Sequence, residues 1–302
     1  MKRASSQGSA LSGYGLILTA ALLWGLIGIF SKGILATGVG ALEIAFWRAL
    51  IAGLAFLLHA SLRRSLTVRR RRDAAAFAAF AIFGVSIFYS SFVLAIDAGG
   101  VSLAAILLYS APAFVILFAW LLLGEKLTLR KVGLVLMALA GVAFVSRDSG
   151  MGMSVSPISL SWGLLAGLSY ASYYIFGKWV LGRYQPATIY ALVLPLGALG
   201  LLPFVTFHAK TAAVWGLLLV LSLLSTYLAY LLYYTGLRQV EASRAVLVAT
   251  VEPLVASLLA ALLFAERFGV LGMLGGGLIL AAALLSARQG SKTASAGGRS
   301  TP

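Results

Sequence analysis

A few charged side chains lie within long apolar stretches of the sequence, and these residues are the best placed to do chemistry. Glu252 is the acid deepest in such a stretch, and Glu43 and Arg48 share another. A charge at the centre of a membrane-spanning helix costs about 2.5–3.5 kcal/mol on insertion scales, so it requires a partner. Glu252 fits a contact to a bound amine or a proton site. Glu43 and Arg48 fit gating charges, and Arg48 equally fits a structural lock with a neighbouring helix.

Aromatic and hydroxyl side chains recur at helical spacing in several of these stretches. Tyr170 and Tyr174 precede Lys178 at intervals of four residues, and Trp24 stands in the matching place before Lys32. Residues at i and i+4 share one face of a helix. We interpret the aromatic groups as the wall of a cavity, with the two lysines attracting a carboxylate at its mouths. The predicted cavity residues are Trp24, Tyr89, Ser90, Tyr109, Tyr170, Tyr174, Tyr227, Tyr230, Tyr234 and Glu252.

Each of these assignments has a structural alternative. Lysines near helix ends extend to the membrane surface, aromatic residues form belts at that surface, and hydroxyl groups bond between helices. The chain has no cysteine, two histidines far apart and eight scattered acids. Disulfides and thiolate metal sites are therefore excluded, and the sequence predicts no catalytic residue, no metal site and no cofactor.

The composition is that of a membrane protein. Hydrophobic residues make up 61% of the 302 residues and charged residues 10%, and the mean hydropathy is +1.01. A soluble domain is about 45–50% apolar and about 25% charged. The net charge of +15 comes from short Lys and Arg clusters between apolar stretches, which is typical of cytoplasmic loops. No basic–aromatic recognition module is visible, so the sequence predicts a lipid bilayer and no nucleic acid as partners.

Ten apolar stretches are long enough for membrane helices, because a helix needs about 20 residues to cross the bilayer. An N-terminus on the inside places most of the 23 Lys and Arg residues on that side, as the positive-inside rule requires. We therefore predict an all-α integral membrane fold of ten transmembrane helices with both termini inside. The predicted spans are 14–35, 41–62, 74–97, 101–123, 130–146, 160–181, 187–207, 213–237, 243–265 and 269–287.

The two halves of the sequence resemble each other at an offset of 141 residues. Pro112 then aligns with Pro253, and Glu125 aligns with Glu266. Five helices is an odd number, so the second unit must enter the membrane with the opposite orientation, as in inverted-repeat transporters. The paired prolines are predicted hinges, because proline interrupts helical hydrogen bonding. The predicted organisation is a cytoplasmic N-terminal segment (1–13), a first five-helix repeat (14–146), a linker (147–159), a second five-helix repeat (160–287) and a disordered basic cytoplasmic tail (288–302).

The repeated segment also resembles a known family. The stretch APAFVILFAWLLLGEKLTLRKVGLVLMALAGVAFV and the later VEPLVASLLAALLFAERFGVLGMLGGGLILAAA are similar to the twice-repeated signature of the drug/metabolite transporter superfamily, in its EamA-like branch. The opening LLWGLIGIFSKGIL is similar to that family as well. The sequence departs from the pattern at Ala265, where the usual glycine is absent before Glu266.

The resemblance implies a ten-helix transporter of the bacterial inner membrane that exports amino acids or other small metabolites, including some drugs. It places the substrate cavity between the first four helices of each half. Together with the aromatic cavity residues, it favours an alternating-access exporter of aromatic amino acids or of a broad range of them. The small-molecule partner is therefore expected to be an amino acid.

Other readings stay open. A drug, or a nucleotide sugar or other phosphorylated metabolite, is an alternative substrate, although phosphate would need several Arg or Lys in the cavity. Outside transport, the alternatives are an integral-membrane lipid-modifying enzyme, for which no acid/base constellation is apparent, and a scaffold or receptor. Gly272 and Gly276 have GxxxG spacing, which permits close helix contact. We expect this contact within a monomer.

Overall fold

The computed structural model describes residues 2–68, 70–99, 101–148, 155–264 and 269–296. These residues are almost wholly helical, with no β-strand among them. Two π-helical segments, Ala81–Ile87 and Leu223–Leu228, each join one α-helix to the next, and a 3-10 turn spans Leu202–Phe204. The helices are α1 (Lys2–Gly25), α2 (Ile27–Leu35), α3 (Ala41–Leu62), α4 (Arg71–Phe80), α5 (Phe88–Gly99), α6 (Val101–Leu108), α7 (Ala111–Leu123), α8 (Leu129–Asp148), α9 (Pro157–Val180), α10 (Pro186–Leu201), α11 (Ala212–Ser222), α12 (Ala229–Leu237), α13 (Ala242–Ala249), α14 (Glu252–Phe264) and α15 (Val270–Ala296).

The protein is an integral membrane protein. Helices satisfy their own backbone hydrogen bonds, which a chain this apolar needs inside a bilayer. Six helical stretches of the described residues are long and apolar enough to cross a membrane, namely Ser12–Leu35, Ala41–Leu62, Arg71–Gly99, Leu103–Leu123, Pro186–Phe204 and Ala212–Leu237. The other four predicted spans correspond to α8, α9, α13 with α14, and α15. The count of ten crossings and their orientation therefore stay predictions.

Helix interruptions recur at matching places in the two predicted halves. The break between α6 and α7 immediately precedes Pro112, and the break between α13 and α14 precedes Pro253. Proline lacks a backbone N–H and crowds the preceding turn, so a helix boundary is expected there. At the same 141-residue offset, the segment Ala81–Ile87 corresponds to a stretch that includes Leu223–Leu228. The backbone is therefore irregular at equivalent positions of both halves.

The most extensive helix–helix contacts also relate equivalent positions of the two predicted halves. Helices α3 and α10 occupy equivalent positions of the predicted halves and pack together, as do α8 and α15. Helix α1 packs on α12, and their equivalents α9 and α5 pack on each other. The α8–α15 contact depends on glycine, because a Cβ at Gly141 would lie 2.7 Å from the carbonyl oxygen of Gly275. Gly276 in turn faces Leu254 of the same chain.

Polar contacts define two ends of the helix bundle. We call the end that carries segments 63–68, 124–128, 181–185 and 238–241 the basic end, because most of the described Lys and Arg residues lie there. We call the other end, with segments 36–40 and 205–211, the Glu43 end. Helix α7 ends at the basic end with Gly124 in the left-handed region (φ 69°), a conformation that glycine adopts without strain.

The first and last helices extend beyond the predicted membrane spans. Helix α1 begins at Lys2, within the predicted cytoplasmic segment, and α15 continues to Ala296, past the predicted end of the last span. The remainder of the predicted tail and the turn at Ala265 and Glu266 lie outside the described residues.

Candidate functional site

The helices of both predicted halves enclose a central cavity of about 490 Å³. Its lining comes from α1, α2, α3, α5 and α6 of the first half and from α9, α10, α12 and α14 of the second. The lining reaches Leu35 and Ala41, at the Glu43 end. Of the residues predicted to form the site, the cavity brings together Trp24, Arg48, Tyr89, Tyr109, Tyr170, Tyr174, Tyr230, Tyr234, Glu252 and Pro253.

Arg48 supplies the positive charge of the cavity. Its side chain projects from α3 and is 9% exposed. The Nε atom donates a 2.8 Å hydrogen bond to Thr226 Oγ1, and the guanidinium carbon lies 5.2 Å from the ring centroid of Tyr89. Thr226 belongs to the π-helical segment Leu223–Leu228, where a widened turn displaces side chains from their ordinary helical positions. Arg48 is therefore held to the second half of the chain by one nitrogen.

Glu252 supplies the negative charge. It is the first residue of α14, where the positive end of the helix dipole favours an acid. The hydroxyl of Tyr170 donates to Glu252 Oε2 over 3.3 Å. The break between α13 and α14 thus places a carboxylate at a helix start that opens into the cavity.

Aromatic rings form most of the remaining surface. Tyr170 and Phe88 stack with their ring centroids 5.5 Å apart and an interplanar angle of 14°. Trp24 packs on Tyr233 at 5.2 Å. Towards the basic end, the floor consists of tyrosines at most 5% exposed, whose ring centroids lie 4.6–5.5 Å apart. The floor residues are Tyr174, Tyr190, Tyr230, Tyr233 and Tyr234.

Several polar atoms of the lining have no hydrogen-bond partner among the described residues. They include Trp24 Nε1, Tyr89 OH and Tyr233 OH, all of which are buried. Leaving a buried donor unpaired costs about 1–3 kcal/mol, so such groups usually bind water or a ligand.

The two predicted mouth lysines do not line the cavity. Lys178 Nζ donates to the carbonyl oxygens of Leu237 and Val240, over 2.8 and 2.6 Å. It thereby holds the C-terminal end of α12, because a cation stabilises the last carbonyls of a helix. Lys32 lies on the exposed side of α2.

Glu43 also lies outside the cavity lining. Its carboxylate binds His208 Nδ1 at 2.8 Å and pairs with Lys210. The Lys210 ammonium lies 5.3 Å from the ring centroids of both Trp47 and Trp215. Glu43 thus connects the start of α3 to the segment between α10 and α11, at the end towards which the cavity extends.

Three further predicted residues lie elsewhere. Tyr227 contributes its hydroxyl to a 2.8 Å hydrogen bond with His59 Nδ1. Pro112 is buried in the first turn of α7. Ser90 is half-buried on α5. None of the three is in the cavity lining.

Other lining residues had no prediction attached to them. Tyr173 and Tyr233 each adjoin a predicted tyrosine in the sequence. On α9 and on α12, both tyrosines of the adjoining pair line the cavity. Tyr190, on α10, stands alone among apolar residues. Its place in the floor follows from the packing of α10 on α3, which no local spacing indicates.

Two helical halves that enclose one aromatic cavity, with an acid and a base inside it, give the organisation of a membrane transporter. The comparison with known sequences identifies the family. The sequence profile of the EamA-like transporter family matches residues 11–147 and again 157–288. The chain therefore belongs to the EamA-like transporter family, within the drug/metabolite transporter superfamily.

Relatives whose names describe them as uncharacterized transporters align with most of this chain. An uncharacterized transporter of Archaeoglobus fulgidus is 27% identical over 92% of this chain and 97% of its own. The uncharacterized inner membrane transporter YicL of Salmonella typhimurium is 26% identical over 92% of this chain and 96% of its own. A crystal structure that covers 92% of this chain and 98% of its own superposes with a TM-score of 0.77 at 19% identity. This last similarity shows the shared fold.

Proposed function

We propose that this transporter exports amino acids, aromatic or of broad specificity, through the central cavity by alternating access. One observation carries the proposal, namely that Arg48 and Glu252 face the same aromatic cavity. A free amino acid carries a carboxylate and an ammonium group on one carbon. A site with one fixed cation and one fixed anion therefore complements it without leaving a buried charge unpaired.

The rest of the cavity fits the side chain of such a substrate. Ligand sites are mostly apolar, with a few polar groups that set orientation. Tyr170 and Phe88 offer a stacked pair of rings, and aromatic groups gain about 0.5–1.5 kcal/mol beyond their buried area when they pack on one another. A volume of about 490 Å³ is within the usual range for small-molecule pockets. Aromatic and large apolar amino acids are therefore the favoured substrates.

An inverted pair of five-helix halves with both termini inside is part of the same proposal. The equivalent breaks before Pro112 and Pro253 support it. So do the reciprocal contacts of α1 with α12 and of α9 with α5, because a two-fold relationship exchanges equivalent contacts. The family profile also matches each half separately. The proposed site of action is the bacterial inner membrane, where YicL is described, and the proposed working unit is a monomer.

The tyrosine floor at the basic end, and the extent of the cavity at the other end, support an outward-facing state. At the basic end, Glu125 accepts hydrogen bonds from Ala242 N at 2.8 Å and from Ser243. Lys131 pairs there with Glu241 at 3.2 Å, and the cavity ends above these contacts on its tyrosine floor. At the Glu43 end, the lining extends to the helix termini. With the predicted orientation, the cavity is closed towards the cytoplasm and open to the outside.

The alternative substrates match the cavity less well. A phosphorylated metabolite needs several cations, and among the described residues Arg48 is the one Lys or Arg in the lining. A lipophilic drug cation fits the aromatic wall and Glu252 but offers no anionic group to the charge of Arg48. The two charges together favour a zwitterion.

Counterflow in proteoliposomes tests the proposal without any assumption about the energy source. Vesicles that contain the purified protein and unlabelled phenylalanine are expected to accumulate labelled phenylalanine, and protein-free vesicles are not. Leucine and alanine report the breadth of specificity, and a sugar phosphate represents the anionic alternative. Exchange of the sugar phosphate without exchange of any amino acid would contradict the proposal.

A further inference from the structure

A second concave surface lies on the outside of the helix bundle, away from the central cavity. It is a groove of about 690 Å³ between α4, α7 and α9. Phe80 and Phe176 stack within it, with ring centroids 4.1 Å apart and an interplanar angle of 13°. Among the described lining residues, Ser172 is the one hydroxyl side chain, and its hydroxyl donates to the carbonyl of Ser169. The groove is therefore an apolar channel on a surface that faces the bilayer.

The groove ends at the basic end of the bundle. Trp179 lines it there and is 48% exposed, as is typical of a tryptophan at the membrane–water interface. The guanidinium carbon of Arg183 lies 4.5 Å from the centroid of the Trp179 ring. Arg183 Nη1 also pairs with Asp73 Oδ1 at 3.1 Å, which holds its charge between α9 and α4 at the groove mouth.

A second arginine lies beside this mouth on α4. Arg72 is exposed and precedes Ala76, a lining residue, by one helical turn. Residues at i and i+4 share a helix face, so Arg72 stands on the groove side of α4. Asp73 is the one acid in this part of α4, and it is paired with Arg183. The mouth of the apolar groove thus carries a net positive charge.

We propose that this groove is a binding site for one anionic phospholipid. An acyl chain would lie along the ring pair of Phe80 and Phe176, and the phosphate would lie between Arg72 and Arg183. Guanidinium groups match phosphate oxygens in geometry as well as charge. Basic pockets between membrane helices on the cytoplasmic side are known to bind anionic head groups. The site joins α4 and α7 to α9, so it lies across the seam between the two predicted halves.

Native mass spectrometry distinguishes an anionic-lipid site from an apolar groove of no selectivity. Delipidated protein in mild detergent is mixed with equal amounts of phosphatidylglycerol and phosphatidylcholine that have identical acyl chains. The first bound lipid is expected to be phosphatidylglycerol. Arg72→Gln is expected to lower the preference for phosphatidylglycerol by roughly fivefold, because each Arg near the surface contributes about that factor.

A second variant tests the groove itself. Ala79 lines the groove and is exposed, so Ala79→Trp is expected to fill it and abolish the first bound lipid of either kind. Leu199→Trp, at an exposed position of α10 outside the groove, is the matched control and should retain the phosphatidylglycerol adduct. Equal binding of both lipids by the unmodified protein, or an adduct that survives Ala79→Trp, would overturn the proposal. A protein dimer that Ala79→Trp dissociates would instead assign the groove to a second copy of the chain.

Discussion

Arg48 and Thr226 are separated by 178 residues, and Arg48 Nε donates a 2.8 Å hydrogen bond to Thr226 Oγ1. The bond connects α3 of the first predicted half to a π-helical segment of the second. Arg48 therefore contacts a neighbouring helix and also lines the cavity. An arginine has five N–H donors, so one bond to Thr226 leaves donors for a carboxylate.

Glu252→Gln is expected to weaken transport of phenylalanine by about tenfold or more, seen as a rise in KM. A hydrogen bond to a charged group contributes about 1.5–3 kcal/mol, and the amide retains the shape of the side chain without its charge. Counterflow of labelled phenylalanine measures the change. Tyr227→Phe is the control, because Tyr227 lies outside the lining. The KM of this variant for phenylalanine should equal that of the unmodified protein. An unchanged KM in Glu252→Gln would remove Glu252 from the binding site.

Arg48→Gln is expected to affect carboxylate recognition specifically. Phenylalanine transport should fall about tenfold or more, because the substrate carboxylate loses a charged partner. Phenethylamine, which has the ring and amine but no carboxylate, should be transported no worse than by the unmodified protein. Transport of phenylalanine and of phenethylamine is measured in the same preparation of vesicles, and the two rates are compared. Equal losses for both would indicate that Arg48 acts only as the lock to Thr226.

Tyr170 allows its two contacts to be separated. Tyr170→Phe removes the hydroxyl that donates to Glu252 and keeps the ring stacked on Phe88, whereas Tyr170→Ala removes both. We expect Tyr170→Ala to reduce the preference for phenylalanine over alanine by roughly three- to tenfold, as expected for a lost aromatic contact. Tyr170→Phe should retain the preference. Competition of each amino acid against labelled phenylalanine provides the measurement, and identical behaviour of the two variants would contradict the stacking role.

Part of this site was predictable from the sequence because its residues obey local rules. Tyr170 and Tyr174 lie four residues apart on one helix, and the offset of 141 residues relates Tyr89 to Tyr230. All four line the cavity. The helix breaks before Pro112 and Pro253 were expected for the same reason, since proline acts on its own turn.

The partners of the charged residues Lys178 and Glu43 could not be predicted from the spacing of residues in the sequence. Lys178 shares the helix face of Tyr170 and Tyr174, yet its ammonium group binds carbonyl oxygens about sixty residues away. Glu43 precedes Arg48 by about one and a half helical turns, but it pairs with His208 and Lys210 of a distant segment. A charged side chain on a helix selects among the groups that tertiary packing brings to it, so its partner is a property of the fold.

The charge cluster around Glu241 predicts a pH dependence of stability. Burial raises the pKa of Glu241, but Lys131 and Arg244 more than offset burial and hold the pKa below its ordinary value of 4.5. Because the folded-state pKa is lowered, the stabilisation is fully present above 4.5 and is lost as the pH falls through the folded-state value. The side chain is 44% exposed, so the contribution is about 1 kcal/mol or less.

Thermal unfolding of Glu241→Gln and of the unmodified protein in detergent, from pH 7 down to pH 3, tests this dependence. The variant is expected to be less stable at pH 7, and the difference should shrink below pH 4.5. Arg130→Gln, an exposed position nearby, is the control and should show no such convergence. A stability difference that is constant over the whole range would contradict the assignment.

Glu125 is expected to act as a latch that keeps the basic end closed. Its buried carboxylate accepts hydrogen bonds from the backbone N–H of Ala242 at 2.8 Å and from the Ser243 hydroxyl, which joins α7 to the start of α13. Because bonds to a charged acceptor contribute about 1.5–3 kcal/mol, Glu125→Gln should raise the population of states open at the basic end by about tenfold. The chain has no cysteine, so Ala242→Cys provides a single labelling site, fully buried while that end is closed.

The rate at which a membrane-impermeant maleimide labels this cysteine should therefore rise about tenfold when Glu125→Gln is added. Lys126→Gln changes the charge of the next residue, which is exposed, and should leave the labelling rate unaltered. A cysteine at Ala41, at the opposite end, should label more slowly in Glu125→Gln, because alternating access closes one end as the other opens. If both cysteines became more reactive together, Glu125 would be stabilising the bundle as a whole and the latch assignment would be wrong.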